Sequence, residues 1–155
     1  MCAVISVSLN KMMLMALGKK TFLGVFTREL PKPPSETYPQ ALIVNTDPAN
    51  EPGEHWCGMF WDLRGKGYFF NPLGHPPLPE WVPVLGDGKD GTWQMLTLNV
   101  QPKSSTKCGL YVMLFLLRMY HSNPPVHICG ITNLMNDVNE LNVESLVKEF
   151  LLKLK

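Results

Sequence analysis

The chain has 155 residues, which is enough for one domain with a buried core. Apolar types make up 45% and charged types 17% of the sequence, a balance that excludes a disordered tail and a coiled coil. The 14 Lys and Arg against 13 Asp and Glu give a net charge of +1, so nothing in the overall charge favours strong binding to nucleic acid or to a membrane surface. We therefore expect a single domain over residues 1–155.

The first half of the chain predicts a short helix followed by strands. Met12–Leu17 is rich in helix-forming residues and is followed by Gly18, a typical residue just beyond a helix C-terminus. Short apolar runs predict strands over 21–26, 41–46, 55–61 and 68–71, the last two joined by a hairpin loop at 62–67. Five prolines between Pro72 and Pro83 predict that no regular structure forms there.

The second half predicts one more strand and two helices. Trp93–Val100 can form the strand. Leu110–Tyr120 is apolar on nearly every face, which is typical of a helix buried inside a domain, and Asn123-Pro-Pro ends it. The apolar spacing over 143–154 predicts an amphipathic C-terminal helix. Because helices and strands do not alternate regularly, the fold class is predicted to be α+β.

The four cysteines lie far apart in the sequence. They form no CxxC pair, which excludes a zinc ribbon and a thioredoxin-type motif. A disulfide framework is not expected at this size and cysteine density. The chain also contains no run of about 18 apolar residues, and its apolar start lacks the basic residues of a signal peptide. We therefore expect an intracellular protein that is not secreted and has no membrane partner.

Cys108 is the first candidate for chemistry. It stands between the small polar segment Lys103–Lys107 and the predicted buried helix. A thiol at a helix N-terminus loses its proton more readily because the positive end of the helix dipole stabilises the thiolate. The alternative is a buried cysteine that acts as a small apolar residue.

His55 and Asn71 occupy the two open ends of the predicted hairpin. If the hairpin is centred on Leu63, they lie directly opposite each other, with Cβ atoms about 4.5–5.5 Å apart. The amide of Asn71 could then hold one ring nitrogen and leave the other facing a thiol, as a Cys-His-Asn site requires. Taken alone, each residue has a structural alternative, since Asn-Pro is a common turn pair.

Two further patterns concern an oxyanion donor and a metal site. Gln101 lies seven residues before Cys108, and its side-chain amide could join the Cys108 backbone N–H in binding an oxyanion; the alternative is a solvent-facing loop glutamine. His55-x-Cys57 and His127-x-Cys129 could each place two zinc ligands on one strand face. Structural zinc sites normally use wider spacings, so zinc is the less favoured chemistry and no metal is expected.

The ordered motifs resemble those of a known family. They match adenovirus-type maturation cysteine proteases (the adenain family), including the related proteases of Maverick-type elements and adintoviruses, from about residue 20 to 136. The motifs that carry the resemblance are Phe22-Leu-Gly, Ile43-Val-Asn-Thr, His55-Trp, Tyr68-Phe-Phe-Asn-Pro-Leu-Gly74, Gln101 with Cys108-Gly-Leu, and Ile131-Thr-Asn.

The resemblance implies a single-domain cysteine protease fold, with a central mixed or antiparallel sheet packed on a buried helix that starts at the nucleophile. It implies that Cys108 is the nucleophile, His55 its base, Asn71 the residue that orients the imidazole and Gln101 part of the oxyanion hole. Trp56 would lie on the substrate side of the site.

The activity implied is a monomeric endopeptidase that cleaves viral or element-encoded capsid and core precursors at Gly-containing sites, in the host nucleus or the virion. A ubiquitin- or SUMO-specific isopeptidase and a catalytically decayed binding module with the same fold are the alternatives.

The chain also departs from this family. Glu or Asp usually stands where this chain has Asn71, and a neutral amide stabilises an imidazolium less than a carboxylate does. The family's activating viral peptide bonds to a cysteine that the stretch Asp87–Val100 lacks. The family's DNA binding has no strong basic counterpart, so only weak DNA binding is implied. We expect that the chemistry requires no cofactor.

Overall fold

The computed structural model describes residues 6–29, 37–47, 55–86, 91–122 and 131–153. These residues form one five-stranded sheet with α-helices packed against it, which confirms the predicted α+β class. The elements are α1 (Ser6–Leu17), β1 (Phe22–Phe26), β2 (Gln40–Asn45), β3 (Trp56–Trp61), β4 (Gly67–Phe70), α2 (Val82–Gly86), β5 (Trp93–Leu96), α3 (Cys108–Tyr120) and α4 (Val143–Lys153).

The sheet is mixed and keeps the chain order of its strands, β1-β2-β3-β4-β5. The two outer pairs are parallel, whereas β2–β3 and β3–β4 are antiparallel. Every residue of β2, β3 and β4 is buried, because apolar side chains on both faces are covered. One face packs with α1, α3 and α4, and the other packs with Trp81 and Leu85.

The proline-rich segment departs from the prediction that it is irregular. Pro79–Trp81 forms a 3₁₀ turn that leads directly into α2. Proline is tolerated in the first turn of a helix because its missing N–H would have no partner there. The Trp81 side chain is 1% exposed, and its indole N–H donates to the Arg28 carbonyl at 2.9 Å. Burial of this side chain stabilises a segment whose prolines alone gave no sign of helix.

Two element boundaries also differ from the prediction. Helix α1 begins at Ser6 rather than Met12, and Leu9 in its first half is buried in the core. Strand β5 ends at Leu96 rather than Val100, because the Val100 N–H donates to the Pro72 carbonyl at 2.9 Å instead of pairing within the sheet. Gly18 does end α1, with a φ of 85° and an N–H that donates to the Leu14 carbonyl at 2.9 Å.

Helix α3 lies directly on β3 because Gly58 leaves room for it. A Cβ placed on Gly58 would lie 3.0 Å from Val112 Cγ1, closer than side chains normally pack. Ten of the 13 residues of α3 are buried, as its apolar sequence predicts. This packing fixes the first turn of α3 against the start of β3.

Candidate active site

His55 and Asn71 are joined by a hydrogen bond. His55 lies one residue before β3 and Asn71 one residue after β4, and His55 Nε2 is 2.7 Å from Asn71 Oδ1. The predicted contact is therefore present on neighbouring antiparallel strands. Its predicted register is wrong, because Trp61 pairs with Gly67, which centres the hairpin on Arg64 instead of Leu63. The two side chains meet as diagonal neighbours, a separation that a long side chain can bridge.

A tight turn fixes the orientation of the Asn71 side chain. The Gly74 N–H donates to the Asn71 carbonyl at 2.7 Å, and the Leu73 N–H donates to Asn71 Oδ1 at 2.9 Å. Gly74 has a φ of 79°, a conformation that favours glycine. Because the Leu73 N–H needs an acceptor, the atom that faces it must be the amide oxygen. His55 Nε2 therefore carries the proton that is donated to this oxygen, and Nδ1 is left as the basic nitrogen.

The environment of His55 favours its neutral imidazole by lowering its pKa. Burial lowers the pKa of His55, the hydrogen bond to Asn71 opposes this by raising it, and the nearby charge of His75 lowers it further. His75 is exposed on the loop that follows the Asn71 turn. A neutral imidazole with a free Nδ1 can accept a proton from a thiol.

Cys108 is the first residue of α3 and is completely buried. A Cβ on the next residue, Gly109, would lie 3.9 Å from Trp56 Cδ1 and 2.8 Å from Leu9 Cδ1. The first turn of α3 thus lies against Trp56, the residue that follows His55. The structure brings the dipeptides Cys108-Gly109 and His55-Trp56 together although they are far apart in the sequence.

The Cys108 sulfur is disulfide-bonded in this structure. This bond was not predicted from the sequence, because separation along the chain does not determine distance in the fold. A sulfur in a disulfide cannot attack a carbonyl, so a nucleophilic role belongs to the reduced protein. Cys57 is a free cysteine, and complete burial raises the pKa of its thiol well above the usual range.

Gln101 is buried rather than facing solvent, so the loop alternative is wrong. Its side chain is 4% exposed, and its backbone N–H donates to the Pro72 carbonyl at 3.0 Å. Side-chain Nε2 donates to the Ser105 carbonyl at 3.2 Å and retains a second hydrogen. Side-chain Oε1 is buried without a partner in the described part of the chain. Buried polar atoms without partners are rare in folded proteins.

A carboxylate that the sequence analysis missed holds the loop before Cys108. Glu140 Oε1 accepts hydrogen bonds from Ser105 Oγ at 2.8 Å and from Tyr111 Oη at 2.9 Å. Burial, helped by this carboxylate, raises the pKa of Tyr111, so its hydroxyl remains a donor. No sequence signal points to Glu140, because it lies in a non-periodic turn far along the chain from the loop it contacts.

An open pocket of about 590 Å³ reaches Trp56 from the edge of the sheet. Ligand pockets commonly have volumes of roughly 300–1,000 Å³. Trp56, the residue that follows His55, lines the pocket and is 6% exposed. Most of the remaining lining comes from α1 and the edge strand β1, including Leu14, Phe22 and Gly24.

The zinc alternative finds no complete ligand set in the described ranges. No group of three or more His, Cys, Asp or Glu side chains that could hold a metal ion occurs there. His127 and Cys129 lie outside the described residues. A search of the same residues for a helix long and apolar enough to cross a membrane also found none.

Comparison with known proteins finds similarity to viral proteases. A family model described as adenovirus endoprotease matches residues 22–78, which include His55, Trp56 and Asn71. The protease of snake adenovirus serotype 1 is 30% identical over 131 residues, covering 74% of this chain and 65% of that protein. The chain is therefore similar in sequence to the adenovirus endoproteases. The protease of bovine adenovirus 4, also 30% identical, is matched over 64% of this chain and 56% of its own length.

The similarity to the adenovirus endoproteases covers only part of each chain. The family match ends before Gln101 and Cys108, and the chain spans less than two thirds of the length of these two relatives. Among solved structures, the crystal structure of the selenomethionine ASFV pS273R protease matches with a TM-score of 0.48 and 23% identity. That match covers 73% of this chain and 43% of that chain.

Proposed function

We propose that the reduced protein is a cysteine endopeptidase that cleaves viral or element-encoded precursor proteins at Gly-containing sites. The observation that carries the proposal is the His55–Asn71 pair. Its tautomer leaves Nδ1 as the basic nitrogen. The neighbouring residue Trp56 lies against Gly109 in the first turn of the helix that begins with Cys108. The proteases of adenoviruses that match this chain support the same activity.

The proposed reaction is acyl transfer through a thioester. His55 Nδ1 accepts the Cys108 proton, and the thiolate attacks the carbonyl carbon of the scissile bond. The oxyanion that forms accepts hydrogen bonds from the second Gln101 Nε2 hydrogen and from the Cys108 backbone N–H. The C–N bond then breaks as the His55 imidazolium protonates the leaving amine. Water, deprotonated by His55, finally hydrolyses the thioester and regenerates the thiol.

The substrate is proposed to approach through the pocket beside Trp56. Edge strand β1 lines this pocket, and an extended peptide can add to a sheet edge through backbone hydrogen bonds. Small residues before the scissile bond would allow the peptide backbone to pass close to the Trp56 ring. The resemblance to the adenovirus-type proteases supports precursor proteins with Gly near the cleaved bond as the substrates.

The test is hydrolysis of a fluorogenic Leu-x-Gly-Gly peptide in the presence of a thiol reductant. The wild type should release the fluorophore, and Cys108→Ala should abolish release while leaving the fold intact. The assay is repeated with DNA and with a candidate activating peptide, so that a need for either is detected. If the wild type is inert in every condition but Asn71→Glu is active, the native chain is a decayed protease and the proposal is wrong.

A further inference from the structure

Glu140 connects the loop before Cys108 to the first turn of α3. Its Oε1 accepts from Ser105 Oγ in that loop at 2.8 Å and from Tyr111 Oη on the helix at 2.9 Å. The Glu140 backbone carbonyl also accepts from Lys107 Nζ at 3.3 Å. Hydrogen bonds to a carboxylate are stronger than those between neutral groups. Glu140, which is half-buried, thus contacts the chain both before and after Cys108.

Ser105 links Glu140 to the two proposed oxyanion donors. Its carbonyl accepts from Gln101 Nε2 at 3.2 Å, and its hydroxyl oxygen accepts from the Lys107 N–H at 3.0 Å. Lys107 immediately precedes Cys108, whose backbone N–H is the second donor. A displacement of Ser105 would therefore move both donors. Oxyanion donors must lie about 2.7–3.1 Å from the charged oxygen, so small displacements matter.

We propose that Glu140 is a positioning residue for the oxyanion hole, acting through Ser105 on Gln101 and on the Cys108 backbone N–H. This inference rests on the proposed function. Glu140 touches neither the substrate nor the reacting atoms in this proposal. Its contribution is to hold the donors where the negative charge develops, which affects kcat more than KM.

Asp137 provides a matched control. It lies in the same segment as Glu140 and also ties that segment to α3, through two hydrogen bonds from Arg118 at 2.6 and 2.9 Å. Arg118 is in the last turn of α3, at the end away from Cys108. Asp137→Ala therefore removes a comparable carboxylate contact without touching the loop at Ser105.

The test compares kcat and KM of Glu140→Ala, Glu140→Gln and Asp137→Ala, with folded fractions measured by urea unfolding. Glu140→Ala should lower kcat roughly ten- to a hundredfold at unchanged KM, less than the ~10²–10³-fold loss of a whole oxyanion donor. Glu140→Gln keeps an acceptor oxygen and should recover most of the activity. Asp137→Ala should leave kcat unchanged. Equal kcat losses in Glu140→Ala and Asp137→Ala would overturn the inference.

Two further measurements isolate the route through Ser105. The double variant Ser105→Ala/Glu140→Ala should lower kcat no further than Ser105→Ala alone, because both changes remove the same connection. Additive losses of kcat would overturn the inference. Amide exchange at Lys107 should be roughly fivefold to tenfold faster in Glu140→Ala, the factor expected for one lost hydrogen bond, and unchanged in Asp137→Ala. Unchanged exchange in both variants would overturn the inference even in a protein without protease activity. An inert wild type with accelerated exchange would instead contradict only the proposed function.

Discussion

Replacing Asn71 with alanine should separate the orientation of His55 from the rest of the mechanism. Asn71 Oδ1 accepts from His55 Nε2 at 2.7 Å and from the Leu73 N–H at 2.9 Å. A net hydrogen bond contributes about 0.5–1.5 kcal/mol, so loss of the His55 anchor should reduce the population of the productive ring orientation by up to roughly tenfold. We therefore expect kcat to fall about tenfold, with KM little changed.

Asn71→Asp is the matched control for this change. A carboxylate of the same size keeps an acceptor for both hydrogen bonds and adds a negative charge, which should raise the pKa of His55 by stabilising its imidazolium. Activity against the Leu-x-Gly-Gly peptide under reducing conditions should equal or exceed that of the wild type. Titration of the His55 ring by NMR measures the pKa directly. An Asn71→Ala variant within twofold of the wild type, or an Asn71→Asp variant as impaired as Asn71→Ala, would refute the assigned role.

Three other outcomes follow from the same contacts. His75→Ala should raise the pKa of His55 toward the ordinary histidine value of about 6.5, because it removes a neighbouring positive charge. An unchanged or lower pKa of His55, measured by NMR titration, would contradict this. In the reduced folded protein, iodoacetamide should modify Cys108 faster than Cys57. Both thiols are buried, but Cys108 lies at a helix N-terminus, which stabilises a thiolate, whereas Cys57 lies inside β3, where burial keeps the thiol protonated. Equal labelling by mass spectrometry would count against a catalytic thiol. Gly67→Ala should destabilise the protein by about 3 kcal/mol in urea unfolding, because its Cβ would lie 2.5 Å from a backbone carbonyl oxygen. An unchanged unfolding midpoint would show that the backbone shifts to make room for the Cβ.

Local patterns in the sequence were enough to predict the central elements. The apolar run that became α3 has a length and a stop signal that only a buried helix satisfies, and Gly18 ended α1 as its type predicts. The contact between His55 and Asn71 was predicted from the position of the hairpin, even though the observed strand pairing is shifted by two residues from the predicted one. The contact does not need the two residues to be directly opposite. Both lie beyond the paired strand ends, and their side chains reach each other diagonally.

Only the tertiary structure decided which distant groups complete the site. Glu140 reaches Ser105 and Tyr111 through the packing of the segment before α4 against α3, a contact that no spacing rule encodes. The end of the proline-rich segment became helical because Pro79 and Pro83 stand in first turns, where proline is tolerated, and because Trp81 is buried. Local propensities span about 1 kcal/mol per residue for most types, whereas burial of one large apolar side chain contributes about 2–3 kcal/mol. Periodicity therefore determined the elements, while long-range packing determined the loop geometry and the partners of the polar groups.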